Sequence, residues 1–292
     1  MKGSYHPYAI ITILFWSLAY AFTKLALQHF SPYSLGFLRY LVATCVLVIV
    51  ASATKMKPPH SKDIPLFIAS GASGFFLYMV TFNKGAATVS SATGSVIVST
   101  APVITAVMAR FIYKERLRFF QWIAIIIQFV GVLILTLLDG SISVNYGLIW
   151  LFGAALALSM YNLFQRRLTK TYTSMQTSAF SIFFGSALLA VFSPAAIREV
   201  SSAPPSQLFY LAVLGIFSSA IAYLTWSKAF SKAEKTSQVS NYMFITPFST
   251  SLLSFIIIGE VPDRATVIGG AVIILGTLVF NFGGKLFNQN NI

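Results

Sequence analysis

Residues 95–115 read SVIVSTAPVITAVMARFIYKE, and residues 240–260 read SNYMFITPFSTSLLSFIIIGE. Each stretch is apolar, carries one proline, and ends on a glutamate thirteen residues beyond it: Pro102 to Glu115, and Pro247 to Glu260. A single offset of 145 relates the two pairs. It also carries Ser95 onto Ser240, Thr105 onto Thr250, Ile123 onto Ile268, Gly131 onto Gly276 and Leu133 onto Leu278. In a chain of 292 residues this is close to half the length, so the sequence reads as a duplication, divided at 1–140 and 141–292.

Composition sets the solvent. The chain is 57% hydrophobic and 9% charged, with a mean hydropathy of +0.78, whereas soluble domains carry about 25% charged residues. So few charges cannot build a water-facing surface, and the chain is read as an all-α polytopic membrane protein. A spanning helix needs about 20 apolar residues. Ten candidates fit: Tyr8–Gln28, Tyr33–Ala53, Ile64–Lys84, Ser90–Tyr113, Arg118–Leu138, Asn145–Gln165, Met175–Ala195, Ser206–Lys228, Thr236–Ile258 and Arg264–Gly284. Lys2, Ala9 and the run to Ala21 imitate a secretory signal, but the apolar segment continues and has a counterpart in the second half. It is therefore read as a retained first span. Cys45, the lone cysteine, lies in an apolar run and is read as packing.

The net charge of +13 lies in short blocks between apolar runs, which suits loops facing anionic lipid and not a nucleic-acid surface. With both termini cytoplasmic, fifteen of the twenty Lys and Arg fall on the inner side and four on the outer, with Arg39 inside the second span. Five spans per half is an odd number, so the second half must cross the membrane inverted. Such two inverted five-helix repeats build many secondary transporters, with the site at the midplane between them.

On these features the chain resembles the drug/metabolite transporter superfamily, in particular its EamA-type ten-helix exporters. The Pro–Glu pairs, Gly131 and Gly276, Trp16-Ser17, Pro32 followed by Arg39, and Asn83-Lys84-Gly85-Ala86 leading into Ser90-Ser91-Ala92 carry the resemblance. It departs in the second half, where the position matching Arg39 is Ser181. The resemblance implies a carrier in the bacterial inner membrane, often exporting amino acids or related metabolites.

Pro102 and Pro247 lie far from span ends. They are read as hinges whose freed carbonyls must meet hydroxyls, protein or water, with Ser99, Thr100, Thr105, Thr246, Ser249 and Thr250 near them. Ser91, Ser95 and Ser99 form a small-residue packing face. Glu115 and Glu260 sit at span ends near Lys114, Arg116 and Arg264, and are read as interfacial ion pairs or gate-side contacts and not as proton carriers. Since no Asp or Glu falls in the middle of a span, facilitated export or exchange is favoured over a carboxylate proton relay. Arg39 lies two turns into its span with no acid near in sequence, and must meet backbone, water or a substrate carboxylate. The candidate cavity wall is Trp16, Tyr20, Arg39, Tyr78, Phe82, Asn83, Ser99, Tyr161, Asn162, Gln165, Tyr223, Trp226, Asn241 and Tyr242.

The leading reading is a secondary transporter that exports or exchanges amino acids, related zwitterions or organic anions. A multidrug exporter of lipophilic cations is the alternative, and it would call for an embedded carboxylate. An intramembrane enzyme would need a polar catalytic group within a span. His6, His29 and His60 fall near the terminus or in loops, and no HExxH or GxSxG occurs. A receptor leaves the inverted repeat unexplained. No cofactor, metal or nucleic acid is expected. A monomer suffices for transport between inverted halves, and a dimer is compatible with it.

Overall fold

The computed structural model describes residues 4–113, 118–137, 146–233 and 239–287. The polypeptide is a bundle of ten spans arranged as two inverted five-helix repeats. The first half comprises His6–Ala26, Pro32–Ala53, Ser61–Ala86, a fourth span in two pieces (Ser91–Val98 and Ala101–Tyr113), and Phe119–Leu137. The second comprises Tyr146–Leu168, Ser174–Leu189, Pro205–Lys232, a ninth span in two pieces (the 3-10 turn Asn241–Ile245 and the helix Thr246–Ile258), and Arg264–Phe287. The near face is the one at which the first span starts, and the far face the one at which it ends.

Local chemistry sets the helix ends. Ser31 caps the second span by accepting from Ser34 N (3.3 Å), with Pro32 in the first turn, where its missing N–H is not needed. Ser90 caps the fourth by accepting from Thr93 N (3.0 Å), and Thr173 with Gln176 forms a reciprocal capping box for the seventh. The segment expected as a loop after Ala195 is a further helix, Ser193–Ser201, begun by Pro194 in its first turn. Its Glu199 carboxylate accepts from Ser31 N (2.8 Å), tying it to the start of the second span. On the near face the Tyr172 hydroxyl donates to Asp63 Oδ2 (2.5 Å), joining the turn after the sixth span to the start of the third. Burial, and then that carboxylate, raise the phenol above its ordinary value.

The outward surface is apolar: Ile49, Phe111, Phe248 and Ile256 are each more than 60% exposed. Such a surface requires lipid. The polar groups point inward, including Arg39, Asn162, Gln165 and many hydroxyls.

The repeat is visible in packing. The third and eighth spans each contain a π-helical turn, Ala72–Leu77 and Ile216–Ile221, related by an offset of 144. Each turn follows a glycine, Gly71 or Gly215. A Cβ on Gly71 would lie 2.7 Å from Ser181 O of the seventh span, and one on Gly215 would lie 3.0 Å from Arg39 O of the second. Ser181 and Arg39 are the repeat-equivalent positions, so one contact is made twice. Gly131 and Gly276 likewise bring the fifth and tenth spans together: their added Cβ atoms would lie 2.8 Å from Gly269 O and 2.9 Å from Ala124 O.

The ninth span ends at Gly259 with φ +68°, its N–H meeting Phe255 O (3.0 Å) while Glu260 N–H meets Ser254 O (3.3 Å). An added Cβ there meets nothing within 4 Å. The cost of Gly259→Ala is then that of the left-handed backbone alone, about 1–2 kcal/mol. A corresponding fall in the detergent-solubilised protein's unfolding midpoint is expected. An unchanged midpoint would show that this turn does not hold the span's end.

Candidate functional site

The fourth and ninth spans were expected to be continuous helices kinked at proline. Each is instead interrupted just before its proline. Pro102 and Pro247 stand in the first turn of the following helices, where a proline removes no needed donor. The carbonyls near the first interruption are met by hydroxyls, Ser99 Oγ donating to Val96 O (2.6 Å) and Thr100 Oγ1 to Ile97 O (2.7 Å). From the other repeat, Ser159 Oγ donates to Ala101 O (2.8 Å). Two half-helices thus begin inside the bundle, at Ala101 and at Thr246, running to opposite faces. Helix N-termini carry partial positive charge.

Between the interruptions lies a cavity lined by Trp16, Tyr20, Arg39, Tyr78, Phe82, Ser99 and Tyr223 of the expected wall, together with Ala19, Val98, Leu158, Met243 and Thr246. Its free space is about 20 Å³, room for about one water. A metabolite enters only if the spans move apart. The rings close it: Trp16 lies 5.1 Å from Tyr223 and 4.8 Å from Trp226, and Tyr20 lies 5.2 Å from Phe82.

Arg39 supplies the charge. It is 3% exposed, and its Nε donates to Ser219 Oγ (2.6 Å) and its Nη2 to Ser218 O (3.2 Å), both in the π turn of the eighth span. A guanidinium has five N–H donors, so two are used and three have no hydrogen-bond partner among the described residues. Among the described residues no Asp or Glu lines the cavity.

The other expected residues sort by distance from this centre. Tyr161 stands one layer behind, its ring 5.6 Å from Tyr223 and 5.2 Å from Phe75. Trp226 Nε1 donates to Asn162 Oδ1 (3.2 Å), and Asn162 Nδ2 to Thr105 Oγ1 (3.4 Å). Gln165 Oε1 accepts from Ser227 Oγ (2.7 Å). Asn83 Nδ2 is committed to Pro32 O (2.8 Å). These amides join spans and do not line the cavity. Tyr242 sits at the near face, bonded to His6 Nδ1. The side chain of Asn241 and all of Glu115 lie outside the described residues. Glu260 pairs with Lys24 (3.2 Å) rather than with Arg264, and its second oxygen accepts from Ser91 N (3.0 Å).

The sequence also matches the family model described as the EamA-like transporter family twice, over residues 4–137 and 145–282. The chain belongs to the EamA-like transporter family. It is 30% identical over 264 residues to the uncharacterized transporter YdfC of Bacillus subtilis, covering 89% of this chain and 85% of that one. It is 24% identical over 272 residues to a probable terminal-alkyne amino-acid exporter of Streptantibioticus cattleyicolor, covering 93% and 91%. To an S-adenosylmethionine uptake transporter of Rickettsia bellii it is 26% identical over 211 residues, covering 72% and 70%. A solved crystal structure shares the fold, with a TM-score of 0.68 at 18% identity over 98% of this chain and all of that one. This EamA-like protein is an integral membrane transporter.

Of the residues that sequence reasoning passed over, Val98 and Met243 had a readable signal. They are equivalent under the 145 offset and flank the two interruptions. The π turns had one as well: Gly71 and Gly215 share the 144 offset of Lys84 and Lys228.

Proposed function

We propose that this EamA-like protein is a secondary carrier that exports or exchanges a small carboxylate-bearing metabolite, an amino acid or a related organic anion, by alternating access between its inverted repeats. In this reading the near face is cytoplasmic and the membrane is the bacterial inner membrane. The observation that carries the reading is Arg39: a buried guanidinium with three donors that have no hydrogen-bond partner among the described residues, at a cavity that no described Asp or Glu lines. A buried charge without a counter-charge is costly. A carboxylate accepting two parallel N–H bonds offsets that cost with matched geometry. The half-helix N-termini at Ala101 and Thr246 favour the same sign of charge, and the aromatic wall suits an apolar body. The relative named as an amino-acid exporter supports this substrate class. A lipophilic cation would meet Arg39 at a wall with no described Asp or Glu to offset it.

The test is counterflow in proteoliposomes with amino acids, organic anions, their methyl esters and a lipophilic cation. Saturable exchange is expected for a carboxylate compound and not for its ester. Equal transport of acid and ester, or transport of the cation alone, would falsify the reading.

A further inference from the structure

The first and ninth spans pack side by side, and two polar pairs tie them. His6 meets Tyr242 at the near face, and Lys24 meets Glu260 at the far face. Between the ties, the buried hydroxyls of Ser17, Thr246, Thr250 and Ser254 have no hydrogen-bond partner among the described residues. Thr246, Thr250 and Ser254 recur every four residues on one face of the ninth span. Ser17, Tyr20 and Lys24 share a face of the first. Thr246 and Tyr20 line the cavity, so the hydroxyls form a track from the cavity to the far-face pair.

The equivalent seam in the other half differs. There Ser159 Oγ donates to Ala101 O (2.8 Å), Thr105 Oγ1 to Ala101 O (2.7 Å), and Asn162 Nδ2 to Thr105 Oγ1 (3.4 Å). Ser17 matches Ser159, Thr246 matches Ala101 and Thr250 matches Thr105, yet among the described residues none of these bonds has a counterpart within or between the first and ninth spans. Buried hydroxyls without partners are unfavourable, and a row of them suits a surface that meets water in another state of the protein.

We propose that the seam between the first and ninth spans is the hydrated passage from the cavity to the far face, and that Glu260, Lys24 and Ser91 close its mouth. The Glu260 carboxylate sits where three spans meet. One oxygen holds Lys24 of the first, and the other accepts from Ser91 N at the start of the fourth, where negative charge is favoured. Gly259 turns the ninth span's end so that Glu260 faces both. Parting this clasp frees the first span from the ninth at the end nearest the hydroxyls. The proposal rests on the protein being a transporter, and not on the role of Arg39 or the identity of the substrate.

The experiment is cysteine labelling in a Cys45→Ser background. Single variants Thr250→Cys, Ser254→Cys and, in the bonded seam, Ser159→Cys are treated with a membrane-impermeant thiosulfonate from each side of the membrane in turn. With Glu260→Gln added, labelling of Thr250→Cys and Ser254→Cys from the far face is expected to rise about tenfold, from loss of the ion pair and of the helix-end charge. Ser159→Cys should not change. Lys24→Met provides a second way to open the clasp if Glu260→Gln does not accumulate. No rise with either variant overturns the proposal. An equal rise at all three cysteines also overturns it, since that is general loosening. Labelling is read without any substrate, so a failure of the carboxylate reading leaves this result interpretable.

Discussion

Arg39→Gln is expected to lower transport at sub-saturating substrate by about a hundredfold, since a bidentate charge-assisted pair contributes on the order of 3 kcal/mol and each 1.4 kcal/mol is tenfold. The expected loss lies in KM, because the guanidinium binds the substrate before the repeats rearrange. Arg39→Lys should recover part of the loss: it restores the charge but not the fork. A structural role alone predicts a different pattern. Arg39 also bonds Ser219 Oγ and Ser218 O, so Gln at this position could harm packing without touching substrate. Ser219→Ala separates the two effects. It removes the acceptor of the Nε bond and leaves the charge, so it should change transport far less than Arg39→Gln. Normal protein level with KM unchanged in Arg39→Gln would remove Arg39 from the site.

Arg39 is legible in the sequence because of bilayer physics. A cation two turns into an apolar span cannot be left unsatisfied, and no acid stands near it in sequence. What it bonds was not legible. Ser218 and Ser219 are 179 and 180 residues away, and only the π turn of the eighth span explains why both face it. The amides show the opposite limit. Asn83, Asn162 and Gln165 read from the sequence as cavity groups because polar side chains in a span need partners. Each finds a partner in another part of the bundle, Pro32 O, Trp226 and Thr105, and Ser227, while Asn83 Oδ1 and Gln165 Nε2 have none among the described residues. A sequence shows that a buried amide favours polar partners and does not show which ones it finds. The prolines were informative about place and misleading about form. They mark the middle of two spans, as expected, but the serine and threonine hydroxyls before Pro102 allow an outright break where a kink was expected. Glu260 was legible as an interfacial charge. Its partner Lys24 was not, because the ion pair closes a gap of 236 residues.

Gly71→Ala and Gly215→Ala are expected to be destabilising, and as a repeat-related pair they test the duplication. At Gly71 the new Cβ would lie 2.7 Å from both Gly185 N and Ser181 O, backbone atoms that cannot turn aside. The third and seventh spans must then separate, which costs about 1–3 kcal/mol by analogy with overpacked cores. At Gly215 the clash is with Val42 Cβ and Cγ1, both at 2.5 Å, and with Arg39 O at 3.0 Å. Gly153→Ala is the control: its Cβ would lie 3.5 Å from Thr81 Cγ2, an ordinary contact. Within a helix, alanine there should be neutral or stabilising by up to ~1 kcal/mol. Thermal unfolding in detergent is therefore expected to move down for Gly71→Ala and Gly215→Ala, and to hold or move up for Gly153→Ala. The two clashing sites should differ from each other in function. Gly215→Ala pushes on the backbone of Arg39 itself, so it should weaken transport beyond its loss of protein, whereas Gly71→Ala pushes on Ser181, which carries no charge. Equal transport per folded molecule in these two variants would mean that the second span's position is not what aims Arg39 at the cavity, and that the π turn holding its guanidinium is sufficient.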